Sequence, residues 1–176
     1  SSDLAALGQI ELHLSARSWN GAEVRATLRR AADQVIGTLG ADVFSDDGRS
    51  LEQVVGDLLA ARGMWIAVAE SCTGGLISSR LTDVPGSSRY VERSIVSYSN
   101  EAKVELLGVD RRTAARVNCV SAEVAQQMAE GACRLFGSDL AVATTGYAEP
   151  VSKSGVVAPF AWWAIAHRGR GRFVTL

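Results

Sequence analysis

Along this chain short, unbroken apolar runs alternate with stretches whose apolar residues recur three and four positions apart. MWIAVA (64–69) is continuous and apolar, as suits a strand covered on both faces. SIVSYS (94–99) and LAVATTG (140–146) read as further strands. Leu51, Val54, Val55, Leu58 and Leu59 lie at helical spacing and end near Gly63, with Ser50 and Gln53 spaced as a capping box. Residues 76–81, NEAKVELLG (100–108) and the stretch from Ser121 through Val124, Met128 and Leu135 read as helices, the last two stopped by Gly108 and Gly137. APFAWWAIAH (158–167) and RFVTL (172–176) supply two more strands, antiparallel across the RGRG turn. Strands alternating with helices predict an α/β fold, a three-layer α/β/α sandwich around a mixed, mostly parallel sheet.

The first segment is different. GQIELHLSAR (8–17) alternates Ile10, Leu12 and Leu14 with polar neighbours, the pattern of a half-buried strand, and Val24 to Leu39 follow at helical spacing. GADVFSDDGRS (40–50) is a polar, glycine-punctuated linker. The expected organisation is a small strand-helix lobe over 1–46 and the main domain over 47–176.

Composition narrows the function classes. Of 176 residues 47% are hydrophobic and 21% charged, enough apolar material for a core, and the net charge of −1 lacks the basic footprint of a general nucleic-acid binder. Cys72, Cys119 and Cys133 are odd in number and show no CxxC spacing, which argues for reduced thiols and against a disulfide frame or a zinc site. No apolar run reaches membrane-spanning length and no signal peptide is read at the start, so a cytoplasmic protein is expected.

In parallel α/β sheets ligands sit beyond the strand carboxyl ends. Three loops fall there: SCTGG (71–75), SYSNEAK (97–103) and TTGYAEP (144–150). Ser71 lies at a strand-to-helix turn whose helix is expected to offer free N–H groups and a positive dipole end. A serine needs a base, and the only histidines, His13 and His167, fall in the appended lobe and at a distant strand edge, which leaves lysine as the candidate. With Asn100 read as the helix cap, Lys103 stands in the first turn, where the macrodipole disfavours its charged form. A solvent-facing lysine that tolerates this small penalty is the alternative, and the residues alone leave both readings open. Tyr98 can donate a hydrogen bond or stack on a flat ring, Cys72 is the rival nucleophile, and Thr73, Thr144 and Thr145 offer hydroxyls.

Together these segments resemble the C-terminal domain of the competence/damage-inducible protein A (CinA) family. The resemblance runs through ESCTGG, SYSNEAK, VSAEVAQQMAEGACRLFGSDLAVATTG and covers about residues 50–146. The leading GQIELHLSAR resembles the end of the KH-like middle domain of longer members, so the chain is expected to be a piece of a longer protein, short at its carboxyl end as well. Family members with known activity are nicotinamide mononucleotide amidases. The resemblance implies Ser71 as nucleophile, Lys103 as its base and Tyr98 beside them. It also implies a substrate cradle of Cys72, Thr73, Gly74, Gly75, Thr145 and Gly146, with the oxyanion held by N–H groups at the start of the helix after Gly74. It implies no metal or organic cofactor and a small nucleotide substrate; the balanced charge and the short apolar runs leave neither nucleic acid nor membrane as an expected partner. Self-association through the last two strands is a further expectation.

Besides the short carboxyl end, the TTGYAEP loop departs from the family pattern. Tyr147 replaces an aliphatic residue and Glu149 a glycine. A carboxylate near a phosphate site repels an anion unless it pairs with a cation such as Lys153. A binding module that keeps the fold without turnover is therefore the alternative function.

Overall fold

A computed structural model of the chain describes residues 4–6, 8–169 and 172–175. It divides into two compact units, Ser1–Leu51 and Glu52–Leu176.

In the first unit β1 (Leu4–Ala6) pairs antiparallel with β2 (Gln9–Glu11), and α1 (Gly21–Leu39) follows, capped by the Asn20 side chain on the Ala22 N–H at 3.0 Å. The expected half-buried strand over 8–17 is corrected. Pairing stops at Glu11, and Ile10, Leu12 and Leu14 are exposed, because among the described residues no element of this unit covers the apolar side of the alternation. Likewise α1 buries none of its residues.

The second unit is built on a five-stranded sheet. Its elements are α2 (Leu51–Arg62), β3 (Ile66–Glu70), α3 (Leu76–Thr82), β4 (Val91–Val96), α4 (Asn100–Leu107), α5 (Arg111–Val117), α6 (Ala122–Phe136), β5 (Leu140–Tyr147), β6 (Phe160–Gly169) and β7 (Arg172–Thr175). The strand order is β4-β3-β5-β6-β7; β3 runs parallel to β4 and β5, and β6 and β7 continue antiparallel. This is the mixed, layered α/β fold that the alternation predicts. Of the RGRG turn, Arg170 and Gly171 lie outside the described residues, as does Leu176.

Two cores, one on each face of the sheet, follow from period-two alternation. Ile66, Val68, Leu140 and Val142 join Leu59, Leu81 and Tyr90 on the α2–α3 side. Ala67, Ala69, Ala141, Ala143, Ala164 and Ala166 face α4, α5 and α6. These alanines let α6 lie close to the sheet, and Gly131 completes the fit, since a Cβ there would overlap the Leu107 carbonyl of α4. Two boundaries differ from expectation. The strand read over 94–99 is Val91–Val96, because Ser97 and Tyr98 turn away and the Ser99 hydroxyl caps α4 through the Ala102 N–H at 3.1 Å. Asn100 is therefore the first helical residue and not the cap. Helix α5 was not expected from its weak apolar pattern; Asp110 starts it by accepting from Thr113 N–H at 2.8 Å.

Candidate functional site

The carboxyl ends of β3, β4 and β5 bring the three expected loops together. The Ser97 N–H donates to the Glu70 carbonyl at 2.8 Å, tying β4 to β3, while the Thr73 and Thr144 hydroxyls meet at 2.7 Å, tying the SCTGG loop to β5.

A residue the sequence reading passed over organises this loop. Glu70, the last residue of β3, is fully buried. Its Oε2 accepts from the N–H groups of Gly75 and Ile77 at 3.0 and 3.1 Å. Its Oε1 accepts from the Ser78 N–H and hydroxyl at 2.9 and 2.6 Å. Burial alone pushes this carboxyl up, but the hydrogen bonds from Ser78, Thr73 and the Ile77 N–H outweigh it and hold the group below its ordinary value. The signal was legible: a carboxylate one strand residue before a glycine-rich helix start has unsatisfied N–H donors within reach.

Glu70 also corrects the expected oxyanion site. With Gly75, Ile77 and Ser78 taken, Gly74 N–H bound to the Ser71 carbonyl and Leu76 N–H to that of Thr73, the start of α3 has no donor left among these five. The N–H groups of Cys72 and Thr73 have no hydrogen-bond acceptor among the described residues. They are the loop's available pair. Gly74 and Gly75 serve by conformation instead, at φ 61° and 101°.

Two other expected cradle residues have structural duties. The Thr145 hydroxyl donates to the Cys119 carbonyl at 2.7 Å and is buried, so Thr144, on the opposite face of β5, is the threonine that meets the SCTGG loop. Gly146 makes room for β6: a Cβ would overlap the Phe160 carbonyl.

Ser71 and Lys103 are both buried, at 5% and 3% relative exposure. Loss of solvent drives the Lys103 ammonium toward its neutral form. The groups that oppose this are the Cys119 and Cys72 thiols and the Tyr147 phenol, which attract the ammonium only when they are ionised. Burial pushes both thiols up, so near neutrality the attraction is switched off and desolvation prevails. Among the described residues no carboxylate forms an ion pair with this amine. Its hydrogen-bond partner is the Tyr98 carbonyl at 3.5 Å, and no hydrogen bond joins it to the Ser71 hydroxyl among the described residues. Tyr98 thus faces Lys103 with its backbone, while its side chain is exposed.

Tyr147 belongs to the site as well. Its hydroxyl accepts from the Asn118 amide at 3.1 Å, and the Asn118 oxygen accepts from the Asn100 amide at 2.9 Å. Asn118 and Cys119 have φ of 49° and 56°, left-handed backbone that costs energy at a residue such as cysteine. The Thr145 hydroxyl on the Cys119 carbonyl helps hold this turn. Glu149 is exposed and makes no ion pair with Lys153 among the described residues. A cleft of about 260 Å³ between α4 and α5 is lined by Asn100, Glu101, Arg111 and Asn118 among others, but by neither Ser71 nor Lys103. Among the described residues no helix is long and apolar enough to cross a membrane.

Comparison with known proteins identifies the family. A family model described as the CinA C-terminal domain matches residues 48–175. A CinA-like protein of Chlorobium limicola is 51% identical over 127 residues, which are 72% of this chain and 30% of that protein. Another, from Chloroherpeton thalassium, is 43% identical over 141 residues, 80% of this chain and 34% of that protein. The chain thus spans about a third of the length of these curated relatives. The crystal structure of the competence damage-inducible protein A of Klebsiella pneumoniae superposes with a TM-score of 0.63 at 34% identity, covering 72% of this chain and 78% of that one. A competence/damage inducible protein of Agrobacterium tumefaciens gives 0.60 at 33% identity, covering 76% and 81%. Family model, relatives and fold agree: the chain belongs to the CinA family, matched through its C-terminal domain.

Proposed function

We propose that this domain hydrolyses the carboxamide of nicotinamide mononucleotide to nicotinic acid mononucleotide and ammonia, with Ser71 as nucleophile and Lys103 as base. The observation that carries the reading is the Lys103 amine. It is buried, its charged form is disfavoured by desolvation, and it is paired with no carboxylate among the described residues, at the same strand ends as a buried serine. Desolvation makes such a lysine easier to deprotonate, which a lysine base needs, and a serine without a histidine needs a base.

In this mechanism Lys103 Nζ takes the Ser71 proton as Oγ attacks the carboxamide carbon. The oxyanion is held by the N–H groups of Cys72 and Thr73. The lysine ammonium passes its proton to the departing nitrogen, the C–N bond breaks, and ammonia leaves an acyl-serine ester. Water, deprotonated by Lys103, then attacks the ester, the serine regains its proton, and the acid is released. The serine–lysine contact closes as substrate fills the site, since catalytic hydrogen bonds are commonly loose before it does.

Ammonia release from nicotinamide mononucleotide tests the reading. Turnover by the parent chain, lost in both Ser71→Ala and Lys103→Ala, is the expected result. No release by the parent, or release that persists in either variant, refutes it. The second reading, a binding module without turnover, draws on the absent Ser71–Lys103 hydrogen bond. Calorimetric binding of the mononucleotide with no ammonia formed would favour it.

A further inference from the structure

We propose that Tyr147 is the specificity-determining residue of this site, presenting its ring to the flat, cationic heteroaromatic ring that bears the scissile carboxamide, and that Asn118 is the residue that positions it. The proposal rests on the amidase reading for the identity of the reacting group. It goes beyond that reading in naming how the ring is chosen.

Three observations converge on Tyr147. It ends β5 at the edge where the three loops meet, and it lies within electrostatic reach of the Lys103 amine. Its ring is fixed from two directions. The hydroxyl is held by the Asn118 amide at 3.1 Å, and the ring packs on Phe160 with centroids 5.7 Å apart and planes 60° apart. Asn118 is itself fixed, by the Asn100 amide at 2.9 Å and by a left-handed backbone at φ 49°. Half-buried, Tyr147 keeps part of its surface open to a ligand.

The chemistry of the surroundings selects the ligand. Around Lys103 the polar neighbours are thiols, a phenol and a backbone carbonyl, and Glu70 is consumed by the start of α3. Among the described residues no carboxylate pairs with that amine, and a π face is an attractive partner that Tyr147 can offer a quaternised pyridine ring. A cation seated there also disfavours a second positive charge on Lys103, which keeps the amine in the form that accepts the serine proton. An aliphatic residue at this position offers no π face to the ring.

The test compares two amides on the same protein: nicotinamide mononucleotide, whose ring is cationic, and free nicotinamide, whose ring is neutral. Tyr147→Leu is expected to raise KM for the mononucleotide about tenfold and to change that for nicotinamide by about twofold or less. Tyr147→Phe keeps the ring but frees it from Asn118, and a rise of about threefold is expected. Asn118→Gly keeps the left-handed turn while deleting the amide, and it should match Tyr147→Phe, with the change in KM and not in kcat. Equal losses for both amides, or none for either, overturn the proposal. Calorimetry of both ligands with Ser71→Ala and with the Ser71→Ala/Tyr147→Leu double variant keeps the two readings apart. If the parent chain releases no ammonia, the amidase reading fails. Ring selection then stands on a tenfold difference in affinity between these two proteins for the cationic ligand alone, and falls without it.

Discussion

Glu70 and Ser78 are joined twice, the carboxylate Oε1 accepting both the backbone N–H at 2.9 Å and the hydroxyl at 2.6 Å. With Gly75 and Ile77 on the other oxygen, one buried side chain closes the first turn of α3 and aims the loop that carries Ser71. Glu70→Gln places an amide NH₂ against backbone donors and is expected to cost about 3 kcal/mol, read from urea unfolding at pH 7. The carboxyl is held below its ordinary 4.5, so its contribution is complete above that value and disappears as pH falls through the folded value. The variant should therefore have a flatter acid limb. An acid limb as steep as the parent's would contradict this role.

Lys103 works in the opposite sense. Its folded value lies below the ordinary 10.5, so between the two the unfolded chain binds more protons and stability rises with pH. Below that window the protein carries the cost of a buried amine. Lys103→Met should abolish ammonia release yet raise the melting temperature at pH 7 by about 2–4 °C, a gain that shrinks as the pH approaches 10.5. The parent's kcat/KM should rise with pH and level off below 10.5. A melting temperature lowered at pH 7 would show that the amine stabilises the fold.

Cys72 separates the two candidate nucleophiles. Burial pushes its thiol up, so little thiolate forms near neutrality. Cys72→Ala keeps the backbone N–H groups of the loop and should retain turnover within about threefold, with slow alkylation of the parent by iodoacetamide at pH 7. Loss of turnover in this variant, with Ser71→Ala still active, would move the chemistry from oxygen to sulfur.

Two glycines in helices should respond oppositely to alanine. At Gly131 a Cβ would overlap the Leu107 carbonyl, so Gly131→Ala must push α6 from α4 and is expected to lose about 3 kcal/mol and most activity with it. Gly37 in α1 has nothing within 4 Å of a built Cβ, and Gly37→Ala should gain about 0.5 kcal/mol from helix propensity. Denaturation midpoints measure both.

What the sequence discloses depends on whether an interaction is local. The buried strands MWIAVA and LAVATTG and the Ser121 cap are local patterns, and β3, β5 and α6 stand where they imply. The meeting of the three loops follows from parallel topology. Ser99 as cap in place of Asn100 is a choice between adjacent residues that only the chain's exit from β4 decides. Thr144 and Thr145 look equivalent in sequence, and the strand's two faces give one to the SCTGG loop and the other to Cys119. Ile10, Leu12 and Leu14 alternate correctly, but alternation specifies burial only when a partner surface exists. Tyr147 was read as a departure from the family loop; its tie to Asn118, 29 residues earlier, is visible only in three dimensions.

The pairing of β3 with β5 has a kinetic consequence. The Trp65 N–H at the head of β3 donates to Asp139, 74 residues onward, and β3 cannot complete its ladder before β5 exists. Closing so long a loop comes late in a folding reaction. On a ribosome the serine and the lysine would both have emerged before the strand that carries Thr144 and Tyr147 completes the sheet beside them.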